Sequence, residues 1–491
     1  MAWAYWTSAA IAGLMLVSAC EVGPDYERPS AVVPASFKEQ DGWKPGTPLD
    51  AVNRGPWWSI YRDPTLDRLE RRIVIDNQTL KAAEAAYREA AAVVRASRAS
   101  YFPTVTETPS MERTGHGAGG VSASGATTGG HASVHNQFEL AGALSWELDL
   151  WGRIRRTVEA GVANAQASAG DLASARLSAQ ATLAADYFEL RTQDEMRRLL
   201  DESAVAYAES LRITGNQYKA GIVSRADVAQ AETLLKSVQA EAVNLGVRRA
   251  QLEHAIAVLI GAPPAGVSIP PARVAMTVPA IPAGVPSALL ERRPDVAAAE
   301  RRVASANADI GVAIAAYYPA LTLSASLTYT STIIGTLLQA ANRVWAVGPQ
   351  LAQTLFDGGL RGAQVDEARA TYDQATATYR QTVLTAFQQV EDQLAALGVL
   401  ARQAEIQAGA VTSARNAERL ILNQYKAGTV AYTSVVTAQT TALTNAQAAL
   451  TIFRDRLAAS VALVQALGGG WEASQLPAPD TINVNSSLFP E

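Results

Sequence analysis

The sequence is poor in the residues that usually carry chemistry or staple a small fold. Its 491 residues include one Cys and four His. One Cys excludes an intramolecular disulfide framework and any Cys-rich zinc site, and four His leave little room for a multi-His metal centre. Positive charge is not in excess: 41 Lys+Arg against 46 Asp+Glu give a net charge of −5, which argues against a nucleic-acid partner. After the first twenty residues no uninterrupted apolar run reaches roughly 18, so a polytopic helical membrane protein is excluded. A β-barrel is not excluded, because alternating strands average to neutral hydropathy, and the mean hydropathy here is +0.03. No P-loop, H-E-x-x-H or G-x-S-x-G is present, so neither an enzyme, a metal nor a cofactor is expected. At roughly 150 residues per domain the length allows about three domains, enough for a core without staples.

Residues Ala9 to Ala19 form a short apolar segment. It is too short to span a bilayer comfortably and fits the core of an export signal, although no Lys or Arg precedes it. It ends Val17-Ser18-Ala19-Cys20. That resembles the bacterial lipobox, in which an aliphatic residue and two small ones precede the Cys that receives a diacylglycerol and an N-acyl chain. Lipidation at Cys20, the only cysteine, is therefore expected. A plain signal peptide beside an incidental Cys is the alternative. By the same resemblance, Glu21 is compatible with outer-membrane sorting.

The clearest internal signal is a duplication. Asn216-Gln217-Tyr218-Lys219-Ala220-Gly221 recurs as Asn423-Gln424-Tyr425-Lys426-Ala427-Gly428, an offset of 207. Leu150-Trp151-Gly152-Arg153-Ile154-Arg155 aligns with Phe356-Asp357-Gly358-Gly359-Leu360-Arg361 at 206, and Tyr101-Phe102-Pro103 with Tyr317-Tyr318-Pro319 at 216. The drop of ten places extra residues in the first half, with the Ser/Gly/His-rich 114–136 as the expected site. Residues 138–150 alternate, with Phe138, Leu140, Leu144, Trp146 and Leu148 on one face; 321–330 do the same. Period 2 predicts strands with one apolar and one polar face, of the length a tilted membrane strand needs. A soluble antiparallel sheet would alternate as well. The partner runs 104–113 and 344–355 are weaker, and Pro349 removes a ladder donor from the latter.

Between Arg153 and Gln217, and between Arg361 and Lys426, there is no Pro. A helix of ~60 residues is roughly 90 Å long, far beyond the usual length. Returning helices are predicted from about Ala226 to Ile260 and Ser434 to Leu467. Ala dominates much of these helices, and small residues let helices approach on more than one face. Gly221 and Gly428 suit the left-handed position that ends a helix. Four strands cannot close a membrane barrel, and open edges are not allowed in lipid, so spanning strands would require oligomerisation.

These residues resemble the TolC-like outer-membrane efflux factors, in the lipoprotein branch that includes OprM and NodT. The resemblance rests on Val22-Gly23-Pro24-Asp25-Tyr26-Glu27-Arg28-Pro29, Trp57-Trp58 with Asp63-Pro64-Thr65-Leu66, Trp146 to Arg153, Leu289 to Val296, and Leu355-Phe356-Asp357-Gly358-Gly359. It covers 20–470. It implies a mixed fold: a homotrimer with four strands per chain in a 12-stranded outer-membrane β-barrel, a long periplasmic α-helical barrel, and a small mixed equatorial domain. The organisation expected is a signal peptide (1–19), a lipidated segment and equatorial part (20–64), a first repeat (65–262), a Pro-rich linker (263–285), a second repeat (286–470) and a tail (471–491). Strands are expected near 103–113, 137–149, 319–331 and 344–356, and hairpins near 153–260 and 360–467. The equatorial region is expected from 26–64, 262–286 and the tail after Trp471.

The implied function is a passive exit duct of a tripartite drug or small-molecule pump. The partners are a periplasmic adaptor and an inner-membrane transporter of the resistance-nodulation-division class. The chain would be lipid-anchored in the outer membrane and extend into the periplasm. A protein-secretion duct is the runner-up, and an adaptor lipoprotein, which normally has one hairpin rather than two, is a further alternative. In such proteins Tyr and Asp near the tips bond neighbouring hairpins and hold the channel closed. Tyr218, Asp227 and Tyr425 are the corresponding candidates. Acidic residues often line the second constriction of relatives; Ser434 and Thr437 stand there instead, with Val430 where some carry Arg. A hydroxyl-lined or apolar constriction is expected. Gly115 to Gly120 satisfies G-x-G-x-x-G but lies in a polar loop, not at a strand-to-helix turn. His116, His131 and His135 share that loop, and a flexible polar loop is the simpler reading.

Overall fold

A computed structural model describes residues 21–34, 36–39, 56–116, 133–273, 277–279, 281 and 289–482. The export segment, Cys20 and His131 lie outside the described residues. The chain repeats one grammar twice. In the first half, α1 (Pro64–Asp76) and α2 (Gln78–Ala99) lead to β1 (Thr104–His116) and β2 (Ser133–Leu148), then α3 (Arg153–Lys219) and α4 (Arg225–Leu259). In the second half, α5 (Pro294–Ala315) leads to β3 (Ala320–Ser331) and β4 (Arg343–Ala352), then α6 (Leu360–Lys426) and α7 (Tyr432–Ala466). Helices α2 and α5 have 22 residues each, α3 and α6 have 67 each, and α4 and α7 have 35 each. At 1.5 Å per residue the 67-residue helices are about 100 Å long.

Local chemistry fixes where the helices start. Asp63 caps α1, its carboxylate accepting the Thr65 and Leu66 amides at 2.8 and 3.1 Å, with Pro64 at the first helical position. At the strand-to-helix turns the two halves use the same device. Asp149 accepts the amides of Ile154 and Arg155, both at 2.9 Å, and Asp357 accepts those of Gly359 and Arg361 at 3.0 and 3.3 Å. Gly152 and Gly359 precede α3 and α6 with φ of 81° and 95°. The structure therefore pairs Gly152 with Gly359, not with Gly358. The offset is 207 from turn to tip, one more than the sequence alignment of that marker. The added length of the first half lies where it is expected: the ladders match Thr104–Arg113 with Ala320–Tyr329 and Asn136–Ser145 with Arg343–Ala352, which leaves 114–135 against the shorter 330–342.

The strands form one antiparallel sheet in the order β1-β2-β3-β4. Thr104 opposes Ser145, Leu148 opposes Leu321, and Ala320 opposes Ala352. Pro349 does not end β4; it sits within the ladder opposite Leu323. Pro109 sits likewise in β1 opposite Leu140. Both are on edge strands, where a missing donor is tolerated. Strand β4 stops at Ala352, four residues before the expected end, because its partner β3 begins at Ala320, directly opposite.

The main core lies where the helices pass each other midway along the chain. Trp57, Leu66, Ile73, Tyr187, Val303, Tyr379, Leu394 and Leu463 are buried in one cluster, and Phe37, Ile269 and Ile281 join it from the connecting segments. Ile482 of the tail instead packs on Val94, Val158 and Ala165. Arg191, almost fully buried, pins the Pro-rich linker: it donates to the Pro270 carbonyl at 2.8 Å and pairs with Asp194 at 3.1 Å. Helices α3 and α5 approach closely at Gly170, where an added Cβ would lie 3.0 Å from Ala298 Cβ. This is why small residues recur on these faces.

Candidate channel surfaces and the helical tip

The register gives the sheet two chemically distinct faces. Leu140 pairs with Tyr329, Leu144 with Ala325, Trp146 with Leu323 and Leu148 with Leu321; Leu327 pairs with Trp345 and Leu321 with Leu351. Directly paired residues share a face, so these make one apolar surface. The other face carries Thr104, Thr106 and Thr108 opposite Ser145, Ala143 and Ala141, continued by Ser324, Ser326 and Thr328. Trp345, Val347 and Leu351 are about two-thirds exposed on the isolated chain. Strands β1 and β4 have no strand partner on their outer edges among the described residues. Below the sheet, Trp151 ties the halves together: its indole donates to the Pro319 carbonyl at 2.8 Å and stacks on Tyr318 at 4.8 Å.

Beyond the core, the distal parts of both hairpins meet along a polar seam. On α3, Tyr207, Ser210 and Thr214 recur at steps of three and four, so they lie on one face. All three are buried. Tyr207 donates to the Gln439 carbonyl at 3.1 Å, the Gln439 amide donates to Ser210 Oγ at 2.9 Å, and the Tyr425 hydroxyl donates to Thr214 Oγ1 at 3.0 Å. The Tyr425 and Tyr432 rings lie 5.3 Å apart. Burial raises the Tyr425 hydroxyl pKa and pushes that of Tyr432 up to about 12, so both hydroxyls stay protonated. Tyr425 is thus a link between hairpins inside one chain, not an exposed tip residue. Tyr207, Ser210, Thr214, Gln439 and Tyr432 were not singled out from sequence; the 3-4 spacing of polar residues on α3 was the available signal.

The tip itself is built from two matching turns. Gly221 and Gly428 have φ of 73° and 75°. The Gly221 and Ile222 amides bond to the Tyr218 and Gln217 carbonyls, and the Gly428 and Thr429 amides to those of Tyr425 and Gln424. This is the Schellman pattern, in which a left-handed residue closes the helix. Asp227 has a local partner. Its carboxylate accepts the Ser224 amide at 2.9 Å and the Ser224 hydroxyl at 2.7 Å, while Ser224 Oγ accepts the Asp227 amide at 3.3 Å. It completes the capping box of α4, and among the described residues its carboxylate bonds to Ser224 alone. Tyr218 is exposed, Ser434 half-buried and Thr437 exposed. The Thr437 hydroxyl donates to the Thr433 carbonyl at 3.0 Å. Helix α7 has no side-chain cap, and from Ala427 to Phe453 the chain carries no Asp, Glu, Lys or Arg. Thr433, Thr437, Thr440, Thr441 and Thr444 are all exposed there.

Among the described residues no cluster of His, Cys, Asp or Glu could hold a metal ion, and no helix is long and apolar enough to cross a membrane. Of the loop histidines, His116 ends β1 opposite Ser133, and His135 lies in β2 opposite Thr114.

Comparison with known proteins gives a consistent picture. The family model described as outer membrane efflux protein matches residues 71–262 and 285–469, one block in each half. A probable efflux pump outer membrane protein, TtgC of Pseudomonas putida KT2440, is 30% identical over 459 residues, covering 93% of this chain and 94% of that protein. The outer membrane protein OprJ of Pseudomonas aeruginosa is 30% identical over 472 residues, covering 96% of each. Among solved structures, the outer-membrane channel OprN superposes with a TM-score of 0.84 at 29% identity, covering 92% of this chain and all of that one. The open state of the Neisseria gonorrhoeae MtrE outer membrane channel superposes with a TM-score of 0.81 at 28% identity, covering 92% of this chain and 99% of that one.

Proposed function

The chain belongs to the outer membrane efflux protein family, and from that premise we propose that three copies assemble into the passive exit duct of a tripartite small-molecule pump. The observation that carries this reading is the sheet: four strands, one apolar face and two free edges, continuous with helices of 67 residues. Free edges are not tolerated in lipid, and four strands cannot close. Three copies give twelve strands, with the apolar face toward lipid and the Thr/Ser face toward the lumen. The 67-residue helices carry the lumen on through the periplasm. A periplasmic adaptor and an inner-membrane transporter of the resistance-nodulation-division class would supply opening and energy. A diacylglycerol and an N-acyl chain on Cys20 would anchor the mature chain in the outer membrane.

The tip works as a closure with local parts. The Tyr425–Thr214 and Gln439–Ser210 bonds hold the second hairpin against the first, and opening requires that seam to shift. Asp227 contributes by rigidifying the start of α4. Ser434 and Thr437 lie on the charge-free stretch of α7, so the constriction presents hydroxyls and methyls and does not select by charge.

The test is deletion of the gene in its host. Loss of the duct is expected to raise accumulation of a fluorescent efflux dye and to lower tolerance to antibiotics or organic solvents, with the set of secreted proteins unchanged. Unchanged dye accumulation together with loss of a secreted protein would replace this reading by a protein-secretion duct.

A further inference from the structure

Two motifs that the duct reading leaves without a role meet in the structure. The segment Glu21 to Pro34 is extended and runs from the sheet end toward the core. The Val22 amide donates to the Trp151 carbonyl at 3.2 Å, just below β2. Gly23, with φ of 103°, presses on α5, where an added Cβ would lie 2.5 Å from Gly311 Cα. The Pro24 carbonyl accepts from Asn307 at 2.9 Å, and the Tyr26 hydroxyl donates to Glu300. From Gly311 to Glu300 the strap follows α5 for about 16 Å.

The centre of this contact is Arg156, in the first turn of α3. Its side chain is 4% exposed. Nε lies 3.1 Å from the Glu21 carboxylate and 3.4 Å from the Val22 carbonyl, Nη2 donates to Asp25 at 2.9 Å, and Nη1 donates to Glu159 at 2.8 Å. Only Glu159 belongs to the helix; the other three acceptors belong to the strap. A planar fork with separately aimed donors suits four acceptors, and a lysine cannot reproduce it. Gly311 leaves room for this side chain, because a Cβ there would lie 2.9 Å from Arg156 Cγ.

We propose that Arg156 is the docking site for the N-terminal strap, so that the turn Trp151-Gly152-Arg153-Ile154-Arg155-Arg156 and the segment Glu21 to Tyr26 are two halves of one latch. The latch holds Val22 on the Trp151 carbonyl, at the end of the chain where the sheet begins. A lipid carried there enters the membrane beside the strands and does not swing on a free tether. The latch needs no lipid, so it stands or falls separately from acylation of Cys20 and from the duct reading.

The test is hydrogen exchange of the peptide covering residues 21–30 in the assembled full-length protein. Variants R156Q, R156K, E21Q/D25N and C20A are compared, with the acyl mass on residue 20 read in the same experiment. Exchange at Val22 is expected to rise at least tenfold in R156Q and in E21Q/D25N, to rise in R156K by less than in R156Q, and to stay unchanged in C20A. Unchanged exchange in E21Q/D25N overturns the proposal. So does an equal rise in C20A with no rise in R156Q, which would make the lipid the tether. If R156Q fails to assemble, E21Q/D25N decides alone, because it alters only carboxylates at the surface of the strap.

Discussion

Glu70 on α1 is the least expected side chain in the core. It lies between Leu66 and Ile73 on the helix face that is 0% exposed. Neither carboxylate oxygen has a hydrogen-bond partner among the described residues. Because one chain already buries it fully, a second copy cannot reach it in an assembly. Desolvation pushes its pKa from 4.5 up to about 9. The folded chain therefore holds Glu70 protonated where the unfolded chain holds it ionised. Stability falls as pH rises from about 4.5 to about 9 and is level outside that window. Near pH 7.5 the loss relative to acid conditions is about 4 kcal/mol per protomer, at about 1.4 kcal/mol per pH unit. Glu70→Gln removes the titration but keeps an amide without partners, which costs about 1–3 kcal/mol. The variant is expected to melt several degrees higher than the parent near pH 8 and to lose the downward slope of midpoint against pH. The assay is thermal unfolding in detergent at fixed protein concentration from pH 5 to 9. If parent and variant share one slope, or the variant melts lower at pH 8, the reasoning fails.

Other outcomes follow from the tip and the turns. Tyr425→Phe removes the bond to Thr214 and about 1 kcal/mol per protomer; single-channel recordings should show a larger open fraction, and an unchanged record would remove the seam from gating. Thr437→Asp places a carboxylate on the charge-free stretch of α7 and should make the channel cation-selective, read as a shifted reversal potential in a salt gradient. Asp227→Ala removes half of a capping box, costs about 0.5–2 kcal/mol, and should increase ionic leak; unaltered permeability in a correctly assembled variant would limit Asp227 to its cap. Gly428→Ala forces a Cβ into the left-handed region at an open site, so about 1 kcal/mol is lost, measurable as faster proteolysis at the tip.

Much of this architecture could be read from periodicity. The alternation in 138–148 and 321–330 located β2 and β3 and their apolar face, because period 2 is unambiguous where one face meets lipid. The absence of Pro located α3 and α6. The left-handed roles of Gly221 and Gly428 followed from their place after a long helical run. Two readings needed coordinates. A marker aligned by identity paired Gly152 with Gly358, whereas capping geometry pairs it with Gly359; a double glycine hides which member starts the helix. Asp227 and Tyr425 looked alike as polar tip residues. One is a local cap and the other a buried link to Thr214, a contact 211 residues away in sequence that no local pattern carries. Arg156 was invisible for the same reason: its three partners in the strap lie more than a hundred residues upstream, and three arginines in one turn do not reveal which one is buried.

In the proposed duct, sheets of four strands from three copies close into one barrel. The direct measurement is single-channel conductance of the purified protein in planar bilayers, with its oligomer mass determined in the same detergent. The account predicts a trimer that inserts and gives low, intermittent conductance through a closed tip. A monomer that never inserts would contradict it and would make the alternating strands a soluble sheet.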